Sequence, residues 1–238
     1  MRLLKRILSA AAVLALSASL LVGCSSGTAS SVPVSASSAA ESTVSSVEET
    51  ASSAVDENEA AAAQLLNDLT GSYQELWPVI LADEYKQTWL DDCTALVGED
   101  NAEAAFEKLS SMVTGDVYGE DAVKAYANGG GAYFCGFTNS LATLTFDGET
   151  STISGTDKDG NVLFSHTYHY IGMEPVRGLY EFESDDADSG EFTYFFLAPD
   201  TSAETYHIEF RYGSDAEALS QYDAGEYAYW LASGISTD

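Results

Sequence analysis

Histidine occurs three times in this chain, and each copy is a possible ligand for a transition metal. His207 stands two residues before Glu209 in the segment 205–212, where large apolar residues alternate with polar ones. This alternation predicts a β-strand with His207 and Glu209 on one face and the large apolar residues on the other. Zinc accepts both imidazole nitrogen and carboxylate oxygen, so the two side chains could share a cation.

The other two histidines lie on a second predicted strand, one on each of its faces. A well-held zinc ion needs about three protein ligands. Either His166 or His169 would complete a set with His207 and Glu209 if the two strands were neighbours. The alternative is that Glu209 pairs with Arg211 and that the histidines make only ordinary hydrogen bonds.

Catalytic motifs are lacking. The sequence contains no glycine-rich phosphate loop and no CxxC pair, and its one GxSxG match, residues 23–27, falls at the end of the N-terminal apolar run and not on the strand-to-helix turn of a nucleophile elbow. No acid/base pair stands out among the 38 Asp and Glu residues. We therefore expect a non-enzymatic protein.

The net charge is strongly negative, because 9 Lys and Arg stand against 38 Asp and Glu, a balance of −29. Removal of residues 1–23 would leave 6 basic residues and a net charge of −32. Such a chain repels the phosphates of nucleic acid, which is excluded as a partner. Anionic lipid headgroups are repelled as well, so membrane association depends on an anchor.

The N-terminus has the features of a lipoprotein signal peptide. Three basic residues precede an uncharged run of apolar and small residues, 7–22, which is shorter than a membrane-spanning helix. The run ends in Leu-Val-Gly-Cys, which resembles the lipobox of bacterial lipoproteins. We expect removal of residues 1–23 and lipidation of Cys24, which would anchor the protein to the extracytoplasmic face of the cell membrane.

Export leaves two options for the remaining cysteines, Cys93 and Cys135. Outside the cytoplasm they are free to form a disulfide. Two separate buried thiols are the alternative, and the sequence leaves both open.

Composition divides the exported chain into a tether and a domain. Residues 24–55 are rich in Ser and Ala, contain no aromatic residue and cannot bury enough apolar surface to fold. All three Trp lie in residues 56–238, which are enough for one domain with its own core. We expect a disordered tether followed by this domain.

Helical patterns come first in the domain and strand patterns follow. The spacing of apolar residues predicts helices over 56–69, 73–81, 83–97 and 101–112, and a triglycine run at 129–131 breaks the pattern. Strand-like segments follow at 133–137, 141–146, 151–155, 162–171, 179–183, 192–197 and 205–212. We predict an α+β fold in which N-terminal helices precede an antiparallel sheet that closes into a small β-barrel.

Several motifs resemble the ZinT family of periplasmic and cell-surface zinc-binding proteins. They are the run from Arg177 to Tyr194, Leu197-Ala198-Pro199 followed by Tyr206-His207-Ile208, and Leu69 to Tyr73 with Trp77 and Pro78 close behind. The likeness covers roughly residues 60–238 and is sharpest from Arg177 to Trp230. It implies a calycin-like, lipocalin-related barrel with helical additions that binds zinc through three histidines. Some members form the second domain of zinc-uptake lipoproteins.

The chain departs from this family at the metal site. Carried over position by position, the family's second ligand is His207, the first falls on Thr205, and the upstream one falls on or near Phe195. One of three ligands is therefore retained. The resemblance implies a surface-anchored domain that binds a divalent metal such as zinc, more weakly than three-histidine members, beside a metal-uptake transporter.

The alternative function is a barrel that has lost its metal. Such a domain would bind a small organic ligand or a protein partner through its many tyrosines.

The lipobox generates a first prediction. Cys24→Ala removes the thiol that would carry the lipid, so the variant should gain no acyl chains and should leave the membrane fraction or keep its signal peptide. Mass spectrometry of the expressed protein measures both. An acylated Cys24→Ala protein would contradict the anchoring hypothesis.

Overall fold

The computed structural model describes residues 57–113, 118–126, 133–201 and 205–238. The predicted signal peptide, Cys24, the tether and the triglycine run all lie outside the described residues. Nearly all described residues belong to one unit, Ala61–Asp238. Within this described part, none of the helices has the length and apolarity that crossing a membrane requires.

Helices lie at the start of the described chain and in the long connection between the first two strands. Their ranges are α1, 57–68; α2, Leu76–Ile80; α3, Lys86–Val97; α4, Glu99–Val113; and α5, Gly119–Tyr126, with a 3-10 turn at Asp83–Tyr85 between α2 and α3. Helix α1 packs Ala62, Leu65, Leu66 and Leu69 into the core, the spacing of one helical face. The helices predicted at 56–69, 83–97 and 101–112 are confirmed.

The helix predicted over 73–81 is wrong in its first part. Gly71–Glu75 forms strand β1, and helix α2 begins only at Leu76. Strand β1 carries a single buried aromatic residue, Tyr73, so its period of two is too short to recognise. Tyr73 and Trp77 also stand four residues apart, which is a helical spacing.

In the described residues, eight antiparallel strands close into a barrel in which each strand pairs with its neighbours in sequence and β8 pairs with β1. The remaining strands are β2, Thr143–Asp147; β3, Thr152–Thr156; β4, Val162–Met173; β5, Tyr180–Ser184; β6, Tyr194–Leu197; β7, Ile208–Gly213; and β8, Ala232–Ser236. A short helix α6, Ala216–Leu219, follows β7. This is the α+β, calycin-like fold that the sequence predicted.

Two strand predictions need correction. The segment 133–137 forms only an isolated bridge between Phe134 and Trp230. Strand β8 was not predicted, because it contributes small residues where its partner β7 contributes large ones. A Cβ atom on Gly234 would lie 3.2 Å from Cγ1 of Ile208, so a large side chain there would displace the wall of the barrel.

Aromatic side chains fill the barrel interior. Phe164 and Tyr168 on β4 contact Phe195 on β6, although β5 separates the strands, with ring centroids 5.9 and 5.4 Å apart. Tyr212 on β7 contacts Phe195 at 5.4 Å and Trp230 at 5.1 Å. Because these rings contact one another across the centre, the described interior is a packed aromatic core.

The outer face of β7 is buried as well. Arg211 on this face is 0% exposed. Its guanidinium donates to three backbone carbonyls of the segment 219–230, namely those of Leu219, Gln221 and Tyr227. These bonds hold the segment, which leads into β8, against the outside of the barrel.

This arrangement predicts a large effect of Arg211→Met. The substitution leaves the buried carbonyls of Leu219 and Tyr227, and the part-buried one of Gln221, without their donor, which should lower the free energy of unfolding by about 3 kcal/mol. Arg177→Met is the matched control, because both arginines stack on Tyr222 but Arg177 is exposed. The guanidinium carbon lies 4.6 Å from the Tyr222 ring centroid in Arg177 and 4.4 Å from it in Arg211. Its loss should stay below about 1 kcal/mol. Urea unfolding measures both, and equal losses would contradict the anchoring role of Arg211.

Candidate metal site

The structure brings His207 and Glu209 together on the outside of the barrel. Strand β7 begins one residue after His207, and Glu209 is its second residue. The Nε2 atom of His207 lies 3.7 Å from Oε1 of Glu209. The two side chains are 10% and 16% exposed, so both are largely withdrawn from water but reachable from one side.

The ring of His207 is held by its other nitrogen. Nδ1 lies 2.9 Å from the backbone carbonyl oxygen of Thr205. A carbonyl has no proton to give, so Nδ1 carries the proton and donates it. When His207 is neutral, Nε2 therefore keeps its lone pair, and Oε1 of Glu209 lies 3.7 Å away. Metal-binding histidines are usually held in this way, by a hydrogen bond from the other ring nitrogen.

Glu209 has no comparable partner. Within the described residues its carboxylate makes no hydrogen bond, and the His207 contact at 3.7 Å is longer than one. Ser233 on β8 is its cross-strand neighbour. A carboxylate that is mostly buried and not hydrogen-bonded is costly, and a cation beside it would remove that cost.

The surroundings raise the pKa of His207. Burial alone would lower it, but the Glu209 carboxylate, the Thr205 carbonyl and the charge of Asp200 together outweigh burial. A proton bound to Nε2 and a metal ion would thus satisfy the same carboxylate. The two compete for one position between His207 and Glu209.

A neutral thiol lies near Glu209. Burial, and then the charge of Glu209, raise the pKa of Cys135 to about 12, so this side chain stays protonated. Cys93 and Cys135 are both buried free thiols, so the structure contains no bond between them. The indole Nε1 of Trp77 is also buried near Cys135.

The described residues contain no group of three or more His, Cys, Asp or Glu side chains that could hold a metal ion. A candidate site at His207 and Glu209 would therefore have two protein ligands from the described residues. Two protein ligands bind a divalent ion more weakly than three, and water would have to supply the other positions.

The remaining histidines do not join this pair. Strands β5 and β6 separate β4 from β7, and successive cross-strand pairs place His169 level with Gly213. Gly213 is six residues beyond His207, about 20 Å along an extended strand. His166 and His169 instead contact carboxylates through Nδ1, at 2.8 Å from Asp186 and 2.7 Å from Asp185.

The alternative pairing of Glu209 with Arg211 is not among the ion pairs of the described residues, and the guanidinium donates to backbone carbonyls instead. Phe195, the position on or near which the upstream family ligand falls, is fully buried among the interior rings. It does not line the outer face that carries His207. Sequence reasoning missed Ser233, which lies on the strand that it did not predict.

Comparison with known proteins finds similar solved structures. No family model and no curated protein matches the chain. The Zn(II)-bound ZinT-like domain of Streptococcus pneumoniae AdcA is 17% identical, with a TM-score of 0.41, and the match covers 73% of this chain and 83% of that domain. Zn(II)-bound AdcA from the same organism is 18% identical, with a TM-score of 0.39 over 73% of this chain.

The chain spans 32% of the length of AdcA. Both solved structures contain zinc, and that metal is a property of those proteins.

The raised pKa of His207 predicts a pH-dependent contribution to stability. A histidine whose pKa is raised by folding stabilises fully below its unfolded value of 6.5, and loses this contribution as the pH rises through the folded value. Glu209→Gln removes the charge that raises the pKa. Without added metal, its destabilising effect should therefore be larger at about pH 6 than at about pH 8.5.

Urea unfolding of both proteins at the two pH values measures this difference. Glu217→Gln is the control, because it removes one carboxylate from the exposed face of α6. The same loss of stability at both pH values for Glu209→Gln would contradict the coupling of His207 to Glu209.

Proposed function

We propose that this chain is an exported lipoprotein whose barrel domain binds a divalent metal ion, zinc in preference to calcium or magnesium, at His207 and Glu209. The observation that carries the proposal is the 3.7 Å gap between two largely buried acceptor atoms, Nε2 and Oε1. Two acceptors facing each other repel unless a proton or a cation lies between them.

The size of the gap suits a metal ion. Zinc bonds imidazole nitrogen and carboxylate oxygen at about 2.0–2.2 Å, so two tetrahedral ligands stand about 3.4 Å apart. The observed 3.7 Å requires closure of only a few tenths of an ångström. Such a shift is small for side chains that retain some exposure.

The ligand types favour zinc. Imidazole binds transition metals, whereas calcium and magnesium prefer sites made of oxygen atoms alone. The retained His207 also matches one of the three ligands that the ZinT resemblance implies. With two protein ligands, affinity should be lower than in three-histidine sites.

Anchoring at Cys24 belongs to the same proposal. The lipobox-like sequence and the tether of residues 24–55 would hold the domain at the outer face of the cell membrane, where a metal-uptake transporter is the partner implied by the ZinT resemblance. The proposal is of a binding protein, and it assigns no catalytic residue.

Zinc should raise the melting temperature of the mature chain. An ion that binds only the folded state stabilises it by about 2.7 kcal/mol when its free concentration is 100 times Kd. The shift should shrink as the pH falls through the raised pKa of His207, because a protonated imidazole cannot donate its lone pair. Thermal unfolding with and without zinc, at several pH values, measures this.

Variants locate the effect. His207→Gln should remove most of the zinc-induced shift and Glu209→Gln part of it. His169→Ala is the matched control, since His169 also stands beside a carboxylate, that of Asp185, and should leave the shift unchanged. A shift that survives His207→Gln, or that calcium reproduces, would overturn the proposal, because an acidic surface alone would explain it.

A further inference from the structure

Thr205 and His207 are joined by hydrogen bonds in both directions. The carbonyl of Thr205 accepts from Nδ1 of His207 at 2.9 Å. The hydroxyl of Thr205 lies 2.7 Å from the carbonyl oxygen of His207 and 3.0 Å from that of Thr201. The backbone N–H of Thr205 donates to the same Thr201 carbonyl at 2.9 Å.

These reciprocal hydrogen bonds depend on a bend at Tyr206, the residue between Thr205 and His207. Tyr206 has a φ of 66°, a left-handed conformation that non-glycine residues seldom adopt. The sequence predicted an extended strand from residue 205, but β7 begins only at Ile208. The bend turns the carbonyl of Thr205 toward the imidazole of His207, which an extended strand would not do.

The two neutral tautomers of His207 are not equivalent here. With the proton on Nδ1, the lone pair of Nε2 faces Glu209 and is available to a cation. With the proton on Nε2, that nitrogen would donate to Glu209 and could not bind a metal. The hydrogen bond to the Thr205 carbonyl selects between them.

We propose that Thr205 is a positioning residue: its hydroxyl fixes the bend at Tyr206, so that its carbonyl holds His207 in the Nδ1–H tautomer and leaves Nε2 ready for a divalent ion. The consequence for metal binding rests on the proposed function. The tautomer itself is a property of the metal-free chain and can be tested without it.

The test compares the wild-type chain with Thr205→Val, Thr205→Ser and a control, Thr193→Val. Valine keeps the shape of threonine without the hydroxyl, and serine restores the hydroxyl. The Thr193 hydroxyl likewise donates to a backbone carbonyl, that of Gly190 at 2.7 Å, but in the turn before β6. Nitrogen-15 NMR of the imidazoles, above the raised pKa of His207, reads the tautomer, and titration with zinc reads the affinity.

Wild type, Thr205→Ser and Thr193→Val should show His207 as the Nδ1–H tautomer, and Thr205→Val should shift it toward Nε2–H. Zinc affinity should fall about 10- to 100-fold in Thr205→Val and in neither of the other two variants. The inference would be overturned if His207 kept the Nδ1–H tautomer in Thr205→Val, or if it lost that tautomer in Thr193→Val. Failure of zinc to bind the wild type, with the tautomer shift present, would overturn the proposed function and leave the positioning role standing.

Discussion

Burial of polar side chains on the outer face of β7 is the constraint on which the candidate site depends. A buried charge is tolerated only when it is paired or hydrogen-bonded. Arg211 donates to three backbone carbonyls through its terminal nitrogens, although its buried Nε has no partner among the described residues, and His207 donates to the carbonyl of Thr205. Glu209 alone lacks a hydrogen bond within the described residues, and its nearest charge partner is His207 at 3.7 Å. The need of this carboxylate for a positive charge is what makes the position a candidate site.

The fold creates this constraint by separating core from site. Aromatic rings occupy the barrel interior, so the hydrophobic stability of the domain resides there. The outside of β7 and β8 is covered by other parts of the chain: helix α2 packs against β8, and the segment 219–230 is held by Arg211. A lipocalin-type barrel commonly keeps its ligand inside. Here the polar groups that could bind one lie on the outer wall.

Much of the fold could be predicted from the sequence because its strands alternate large and polar residues, as β4 and β7 do. The shared face of His207 and Glu209 follows from the same alternation. The alternation does not reveal strands β1 and β8, because β1 contains a single large buried residue and β8 consists mostly of small residues. Two features depend on tertiary structure and strand order, which a local pattern does not encode: the bend at Tyr206, and the offset of His169 from His207, which is about 20 Å along the strand direction with two strands between them.

The most direct test of the central claim is anomalous diffraction at the zinc absorption edge from crystals of the mature chain grown with zinc. The account predicts an anomalous peak within bonding distance of both Nε2 of His207 and Oε1 of Glu209, that is, about 2.0–2.2 Å from each. Zinc found only among exposed carboxylates, with no peak between these two atoms, would contradict it.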